Sequence, residues 1–376
     1  ETERNMLKRY RIRDYDFKLI LMLVAITAIG VFSVGSARAD LQGRQLLGFI
    51  MGFFIMIVLS FFDYSFFLRF YWLIYLFDLL LLGMVALFGE VVNNARRWLV
   101  IGGIQFQPSE VTKIMLILVI SQFILKHREK INSIQNIIMM LAIVAVPAYL
   151  VYDQPDMSTT IVILVIFCVV WYVGGLSYKL ILGTLAVVVP IAVVLFILIL
   201  QPDQTIINDY QQGRILAWLY PERYQQTLAY QQTNAMMAIG SGQLWGKGLN
   251  NNMISSVKNG NFISEPQTDF IFTIIGEELG FMGSCVVVIL LFGIALECLS
   301  VARKAKDIAG TCIASGMAAL IGFQGFVNIA VATGVFPNTG VPLPFVSYGL
   351  TSLVSLYIGM GFVLNIRLQC VRKYNN

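Results

Sequence analysis

Long apolar stretches follow one another along almost the whole chain, and they limit what it can fold into. Of its 376 residues 58% are hydrophobic and 12% charged, whereas soluble domains carry about 25% charged residues. A hydrocarbon core about 30 Å thick requires roughly 20 apolar residues per helix. Ten stretches meet this length, and they begin near Phe17, Leu46, Tyr71, Ser109, Ile137, Thr159, Tyr178, Phe270, Ile308 and Val346.

The apolar runs are continuous, which indicates helices rather than the short alternating segments of a membrane β-barrel. We therefore predict an all-α, polytopic membrane protein with ten transmembrane helices, forming a single integral membrane domain over residues 1–376. Seventeen of the 26 Lys and Arg residues lie in the termini and loops on one side of these spans. The positive-inside rule predicts that this side, with both termini, is cytoplasmic.

Four loops on the opposite side are rich in Gly, Pro, Asn and Gln. They contain "GEVVNNARRWLVIGGIQFQPSEVTK", "YDQPDMSTT", the long segment 201–268 between helices seven and eight, and "TGVFPNTGVPLPFVSYG". A loop as long as segment 201–268 more often has a function than serves only as a connection. We expect one shared extracytoplasmic site built from all four.

The eighth span begins with an unusual number of acids, in "FISEPQTDFIFTIIGEELGFMG". A carboxylate at the bilayer centre costs about 2.5–3.5 kcal/mol by insertion scales. If a continuous helix begins at Phe270, Asp269 shares one face with Thr273, Gly276 and Gly280. That small, polar stripe predicts that Asp269 faces the protein interior or a cavity, although close helix packing alone would also explain the glycines.

Several other polar residues allow a structural interpretation, and some of them a functional one as well. "PSE" at 108–110 has the pattern of a helix start with a Ser cap, and Glu110 with Lys113 forms either a self-neutralising pair or a functional one. Arg97 is either an interfacial anchor beside Trp98 or a phosphate ligand. Asp156 is most simply a turn residue.

The number and spacing of histidine and cysteine residues indicate neither a metal site nor a disulfide framework. The single histidine, His127, rules out a multi-histidine metal site, and the five cysteines have no CxxC spacing.

The segments "RRWLVIGGIQFQPSEVTK", "QPD", "EPQTDFIFTIIGEELG" and "GVPLPFVSYG" together resemble the bacterial SEDS family (shape, elongation, division and sporulation). The resemblance extends from the first span to the last. The sequence of the "TGVPLPFVSYG" motif is closer to that of the elongation branch, RodA, than to that of the division branch, FtsW. The chain departs from the usual family pattern at "QPDMST", at "SYGLTS" and at Asn261, where an acid is common.

The resemblance implies an enzyme, a peptidoglycan glycosyltransferase with a ten-helix fold that polymerises lipid II at the outer face of the cytoplasmic membrane. It also implies a class B penicillin-binding protein as the transpeptidase partner, and no nucleic acid. The essential aspartate of the family corresponds to Asp269. The family's "PSExxK" residues correspond to Glu110 and Lys113, which we expect to activate or position the site.

In such a reaction one general base suffices, since the diphosphate leaves without a proton, and we assign this role to Asp269. A helix N-terminus would lower the pKa of Asp269, whereas poor hydration and nearby acids would raise it, and the sequence leaves this balance open. The diphosphate needs counter-charges, from Lys113, from arginines or from a divalent cation, although no motif indicates a cofactor. The arginine candidates are Arg44, Arg97 and Arg214, and the supporting acids are Glu265, Glu277 and Asp156.

Three alternatives stay open at this point. A flippase for the lipid-linked precursor is also a polytopic bundle with intramembrane acids. The protein could instead be a scaffold that activates its transpeptidase, or a division or sporulation paralogue. Polar residues concentrated at one face rather than at the bilayer midplane favour the enzyme over the transporter.

Overall fold

We describe the fold from a computed structural model covering residues 15–92, 95–102, 104–201, 204, 207, 209–250, 256, 260 and 262–374. The first half contains α1 (Phe17–Ala37), α2 (Ala39–Ser60), α3 (Tyr64–Arg69), α4 (Tyr71–Phe88), β1 (Glu90–Val92), β2 (Ala95–Ile101), β3 (Ile104–Phe106), α5 (Pro108–Lys126), α6 (Ile134–Asp153) and α7 (Met157–Val173). The second half contains α8 (Tyr178–Ile199), α9 (Asp209–Leu219), α10 (Tyr230–Ser241), α11 (Ile271–Glu278), α12 (Gly280–Arg303), α13 (Ile308–Ala332) and α14 (Leu350–Tyr374).

The polytopic, all-α membrane architecture predicted from the sequence is confirmed. Within the described residues nine helices are long and apolar enough to cross a membrane, and the shorter apolar helix α7 has 17 residues. All ten predicted stretches are therefore helical, although α7 is shorter than a typical span. Buried residues are most numerous along α5, α13 and α14, whereas α8 has none.

A small antiparallel sheet, absent from the sequence prediction, precedes α5. β2 pairs with β1 on one side and with β3 on the other. The turn after β2 contains Gly102 at φ +59°, a backbone conformation that favours glycine. The sheet ends directly before Pro108, and it therefore places Arg97 at the same end of the bundle as the start of α5.

The eighth span is broken, and the prediction of a continuous helix from Phe270 is wrong. α11 ends at Glu278, and Gly280 at φ +66° starts α12. A Cβ at Gly280 would lie 2.3 Å from the Gly246 nitrogen, so a side chain here would collide with the 243–248 segment. That segment caps the end of α11, because Lys247 N and Gly248 N donate to the carbonyls of Glu277 and Glu278, each at 3.0 Å. Asp269 lies in the turn before α11, which begins at Ile271, and outside the candidate membrane spans.

The segment 334–349 between α13 and α14 contacts both the turn before Asp269 and helix α2. Ser347 Oγ donates to Thr268 O at 2.6 Å, and Tyr348 N donates to Gln267 O at 2.8 Å. Gln45 on α2 donates to Ser347 O at 3.1 Å. The 334–349 segment thereby fixes the residues immediately before Asp269 against the bundle.

Candidate active site

Asp269 lies against the 334–349 segment. A Cβ at Gly340 would be 3.3 Å from Asp269 Oδ2, and Gly340 has φ +75°, so the carboxylate closely approaches a backbone that only glycine adopts readily. Burial raises the pKa of Asp269 to about 6, above its ordinary value of 3.8. The positive charges of Arg214 and Arg97 oppose this rise in pKa. The balance that the sequence left open is therefore dominated by desolvation.

Arg97 on β2 is held by the turn that precedes α7. Its Nε donates to Gln154 O at 3.1 Å and its Nη2 donates to Pro155 O. The sequence left Arg97 between an interfacial anchor and an anion ligand. The structure places its guanidinium close enough to Asp269 to lower the pKa of that carboxyl.

Arg214 on α9 reaches the same place from the long loop. Its Nη1 donates to Asn338 O at 3.2 Å, two residues before Gly340. Two arginines from distant parts of the sequence thus converge on one carboxylate.

Asp156 and Glu265 are the acids whose charges act on Asp269, and both raise its pKa. Asp156 is the N-cap of α7, where it accepts from Thr159 N at 3.1 Å and from Gln107 Nε2 at 3.3 Å. Glu265 lies in the turn four residues before Asp269, with its side chain exposed. Asp156 is thus a helix cap. We call Asp269 and the four charged residues that act on its pKa, namely Arg97, Arg214, Asp156 and Glu265, the charge cluster.

Glu110 and Lys113 form a buried ion pair at 2.7 Å, with side chains 3% and 2% exposed. Lys113 Nζ also donates to Gln324 Oε1 on α13 at 3.2 Å. The predicted Ser cap of α5 is wrong, because Gln107 is the N-cap and Pro108 is the first helical residue. Proline at that position loses no hydrogen bond, since the first N–H groups of a helix have no intrahelical partner.

Two candidates lie apart from this cluster. Glu277 is ion-paired with Lys247 at 2.8 Å, because α11 ends there and turns its carboxylate towards the 243–248 segment. Arg44 is exposed near the start of α2. Neither is among the groups that principally shift the pKa of Asp269.

Sequence reasoning missed Asn328 and Gln324, which lie one turn apart on α13. Asn328 Nδ2 donates to Asp269 O at 2.8 Å and to Val341 O at 2.7 Å. Gln324 Nε2 donates to Pro342 O at 3.1 Å. Both residues could have been found in the sequence as two amide side chains four residues apart inside an apolar span, in "QGFVN".

An apolar groove of about 500 Å³ lies between α10, α11, α12 and α13. Its lining includes Phe272, three residues after Asp269, and Ile329, which follows Asn328 in the chain. Cys285 and Ile289 on α12 extend it along the bundle. The groove is thus lined by residues next to the charge cluster in sequence and by the surface of a membrane helix.

Comparison with known proteins gives a consistent family. The sequence profile FtsW/RodA/SpoVE, described as "Cell cycle protein", matches residues 15–371. The chain is 31% identical to the probable peptidoglycan glycosyltransferase FtsW of Trichlorobacter lovleyi, over 96% of this chain and 94% of that protein. It is also 31% identical to the peptidoglycan glycosyltransferase MrdB of Escherichia coli K12, over 93% of this chain and 91% of that protein.

Two solved structures share the fold. One is a chain from work described as the structural coordination of polymerization and crosslinking by a peptidoglycan synthase complex, with TM-score 0.77 and 28% identity, covering 95% of this chain and 98% of that chain. The other is the rod shape determining protein RodA of Thermus thermophilus, with TM-score 0.68 and 26% identity, covering 94% of this chain and 96% of that chain.

Proposed function

Because the chain belongs to the FtsW/RodA/SpoVE family, that is the SEDS family, we propose that it is a peptidoglycan glycosyltransferase that polymerises lipid II. The observation that carries this proposal is the Asp269 carboxylate lying against Gly340, where the positive charges of Arg97 and Arg214 act on it. The arrangement combines a base of raised pKa with two cations. Glycosyl transfer from a diphosphate donor requires both kinds of group.

In the proposed reaction, the acceptor 4-hydroxyl oxygen forms a bond to the anomeric carbon of the donor chain. The bond from that carbon to the diphosphate oxygen breaks, and undecaprenyl diphosphate leaves with the bonding electrons. Asp269 takes the hydroxyl proton. Such a base contributes roughly 10²–10⁴ in rate. A pKa of about 6 leaves Asp269 ionised at pH 7 while making it a stronger base than an ordinary aspartate.

We assign the counter-charges for the diphosphate to Arg97 and Arg214, whose planar guanidinium groups match phosphate oxygens. A divalent cation is the alternative. Among the described residues no three His, Cys, Asp or Glu side chains cluster in a way that could hold a metal ion. Lys113, already paired with Glu110, is better suited to positioning α5 and α13 than to binding the leaving group.

The apolar groove offers a path for one polyprenyl chain. It is lined by residues of the candidate membrane spans α12 and α13 and by Phe272, which is close in sequence to Asp269. A groove of this kind would leave the sugar end of a lipid-linked substrate at the charge cluster and the hydrocarbon end in apolar surroundings. The proposal therefore extends from the carboxylate to the site for the lipid tail.

The proposal also includes the side of the membrane on which the site lies, the protein partner, and the cellular process that the enzyme serves. The distribution of Lys and Arg supports an extracytoplasmic site. The structural neighbour from a peptidoglycan synthase complex supports a class B penicillin-binding protein as partner. We assign the chain to cell elongation because its "TGVPLPFVSYG" motif resembles that of the RodA branch. Restored growth of a strain depleted of RodA, but not of one depleted of FtsW, would test this assignment.

The proposal is tested with purified protein and labelled lipid II in detergent, where transport across a bilayer cannot be scored. Wild-type protein is expected to form glycan strands, and Asp269→Ala and Asp269→Asn are expected to form none while purifying as well as the wild type. Absence of polymer from the wild type would favour a flippase. Polymer that forms only after addition of another polymerase would indicate a scaffold.

A further inference from the structure

The amide of Asn328 makes two hydrogen bonds that join Asp269 to the 334–349 segment. The side chain is 1% exposed and lies on α13, and its Nδ2 donates to the main-chain carbonyls of Asp269 and Val341. Only a nitrogen fits between two carbonyl oxygens, so these contacts fix the orientation of the amide. Both donors of the amide are therefore used to hold two loops at a fixed separation.

These two loops are the ones that meet at the reacting group. Val341 follows Gly340, where an added Cβ would lie 3.3 Å from Asp269 Oδ2, and the main-chain carbonyl of Asn338 on the same segment accepts from Arg214. A change in the distance between Asp269 and Val341 would therefore move the carboxylate relative to Gly340 and Arg214 together.

Gln324, one turn earlier on α13, anchors the neighbouring carbonyl of Pro342 and accepts from Lys113. The buried Glu110–Lys113 pair is thereby connected to the same segment. α13 thus presents two amides at i and i+4 to two consecutive carbonyls, those of Val341 and Pro342. This arrangement fixes the segment along its length as well as its distance from Asp269.

We infer that Asn328 is a positioning residue for the proposed glycosyl transfer, acting through the main chain of Asp269 rather than on the substrate. This inference rests on the proposed function. An apolar side chain of equal volume would fill the space but would leave two buried carbonyls without donors. The expected consequence is displacement of the base, and misplacement of a catalytic group by about 1 Å can cost roughly 10²-fold in rate.

The matched control is Asn365 on α14. It is also buried, its Nδ2 donates to Ser60 O at 2.8 Å, and its Oδ1 accepts from Tyr64 N at 3.0 Å and from Gln369 Nε2 at 2.7 Å. It therefore makes comparable hydrogen bonds at the opposite end of the bundle. Replacing either asparagine by alanine removes a similar structural contribution, but only Asn328 contacts Asp269.

The experiment measures lipid II polymerisation and the thermal midpoint in detergent for wild type, Asn328→Ala, Asn328→Ser, Asn365→Ala and Asp269→Ala. We expect the polymerisation rate of Asn328→Ala to be about 10–100-fold lower than that of the wild type. This range is typical of residues that orient a functional group without contacting the substrate. Asn365→Ala should lower the midpoint by a similar amount and keep the rate within about threefold of wild type. Asn328→Ser, which keeps one donor, should fall between wild type and alanine, and it decides the outcome if Asn328→Ala does not accumulate.

The pH profile separates positioning from a general effect on folding. Burial has the largest effect on the pKa of Asp269 and raises it; the charged groups that also act on this pKa are Arg214 from α9 and Arg97 from β2, which lower it, and Asp156 at the start of α7 and Glu265, which raise it. Once released, the carboxyl gains solvent, so the acidic limb of the Asn328 variants should move to lower pH, whereas that of Asn365→Ala should not move.

Wild-type rate and profile in an Asn328 variant, alongside an inactive Asp269→Ala, would overturn the positioning role alone. Equal loss of rate in the Asn328 and Asn365 variants would overturn it as well. A wild type that forms no polymer would instead overturn the proposed function.

Discussion

At the scale of single residues, Asp269 lies between charges that act on its pKa in opposite directions. A general base must be ionised, so polymerisation by the wild type should fall as the pH drops through about 6. Arg97 lowers the pKa of Asp269 and Glu265 raises it. Removal of the arginine charge in Arg97→Gln should therefore move the acidic limb above pH 6, and Glu265→Gln should move it below.

The measurement is the position of the acidic limb of kcat/KM, which reports the free enzyme. The absolute rate of Arg97→Gln will also fall if the arginine contacts the diphosphate, but a change in rate alone does not move the limb. A limb near pH 4 in the wild type, or shifts of the same sign in both variants, would contradict the role of Asp269 as base.

The sequence predicted individual residues where their chemistry was out of place or where they matched a family motif. Asp269 was singled out because a carboxylate beside an apolar span is costly and because it corresponds to the essential aspartate of the family, and Arg97 because it could serve as an anion ligand. Glu277 was a supporting candidate, and at the end of α11 its carboxylate is instead paired with Lys247. Asn328 was missed because an amide inside a helix has no distinctive pattern until its two carbonyl partners are known.

At the scale of elements, α1 touches the 334–349 segment through a glycine. A Cβ at Gly30 would lie 2.8 Å from Val346 Cα and 2.9 Å from Phe345 O, which are backbone atoms that cannot rotate away. Phe345 is already in the left-handed region at φ +64°, a conformation that costs a non-glycine residue about 1–3 kcal/mol. Helix α1 therefore packs closely, through Gly30, against a turn whose backbone is strained at Phe345.

Gly30→Ala should destabilise the protein by about 1–3 kcal/mol, the usual cost of overpacking, and should lower polymerisation by displacing the turn that holds Thr268 through Ser347. The control is Gly83→Ala on α4, where an added Cβ meets nothing within 4 Å. Alanine has the higher helix propensity, so the control should match or exceed the wild-type thermal midpoint. Equal midpoints for both variants would show that the close approach at Gly30 carries no constraint.

The lengths of the apolar stretches in the sequence predicted where the helices lie but not where a helix is interrupted. The break between α11 and α12 depends on Gly280 accepting a left-handed conformation beside Gly246, about 34 positions away in sequence, a long-range contact that local periodicity does not contain. The three-stranded sheet was missed for a related reason, since strands of three to seven residues in a polar loop give little alternation to read.

At the scale of the whole molecule, the charge cluster and the apolar groove together define where a lipid-linked sugar would lie. Cys285 lines the groove on α12, and Phe292 on the same helix is 64% exposed and is not part of the lining. Cys285→Trp should fill the groove and exclude the polyprenyl chain, whereas Phe292→Trp changes an outward-facing ring. The two variants add the same side chain to the same helix.

Each buried methylene contributes about 0.8 kcal/mol, so excluding two of them already weakens binding roughly tenfold. We therefore expect Cys285→Trp to raise the KM for lipid II about tenfold or more, with Phe292→Trp close to wild type. With a lipid II analogue that has a short prenyl chain, the wild type should approach the Cys285→Trp behaviour, because neither then fills the groove. An unchanged KM in Cys285→Trp with the full-length lipid would place the polyprenyl chain elsewhere on the bundle while leaving the role of Asp269 intact, since the base and the lipid path are tested by separate variants.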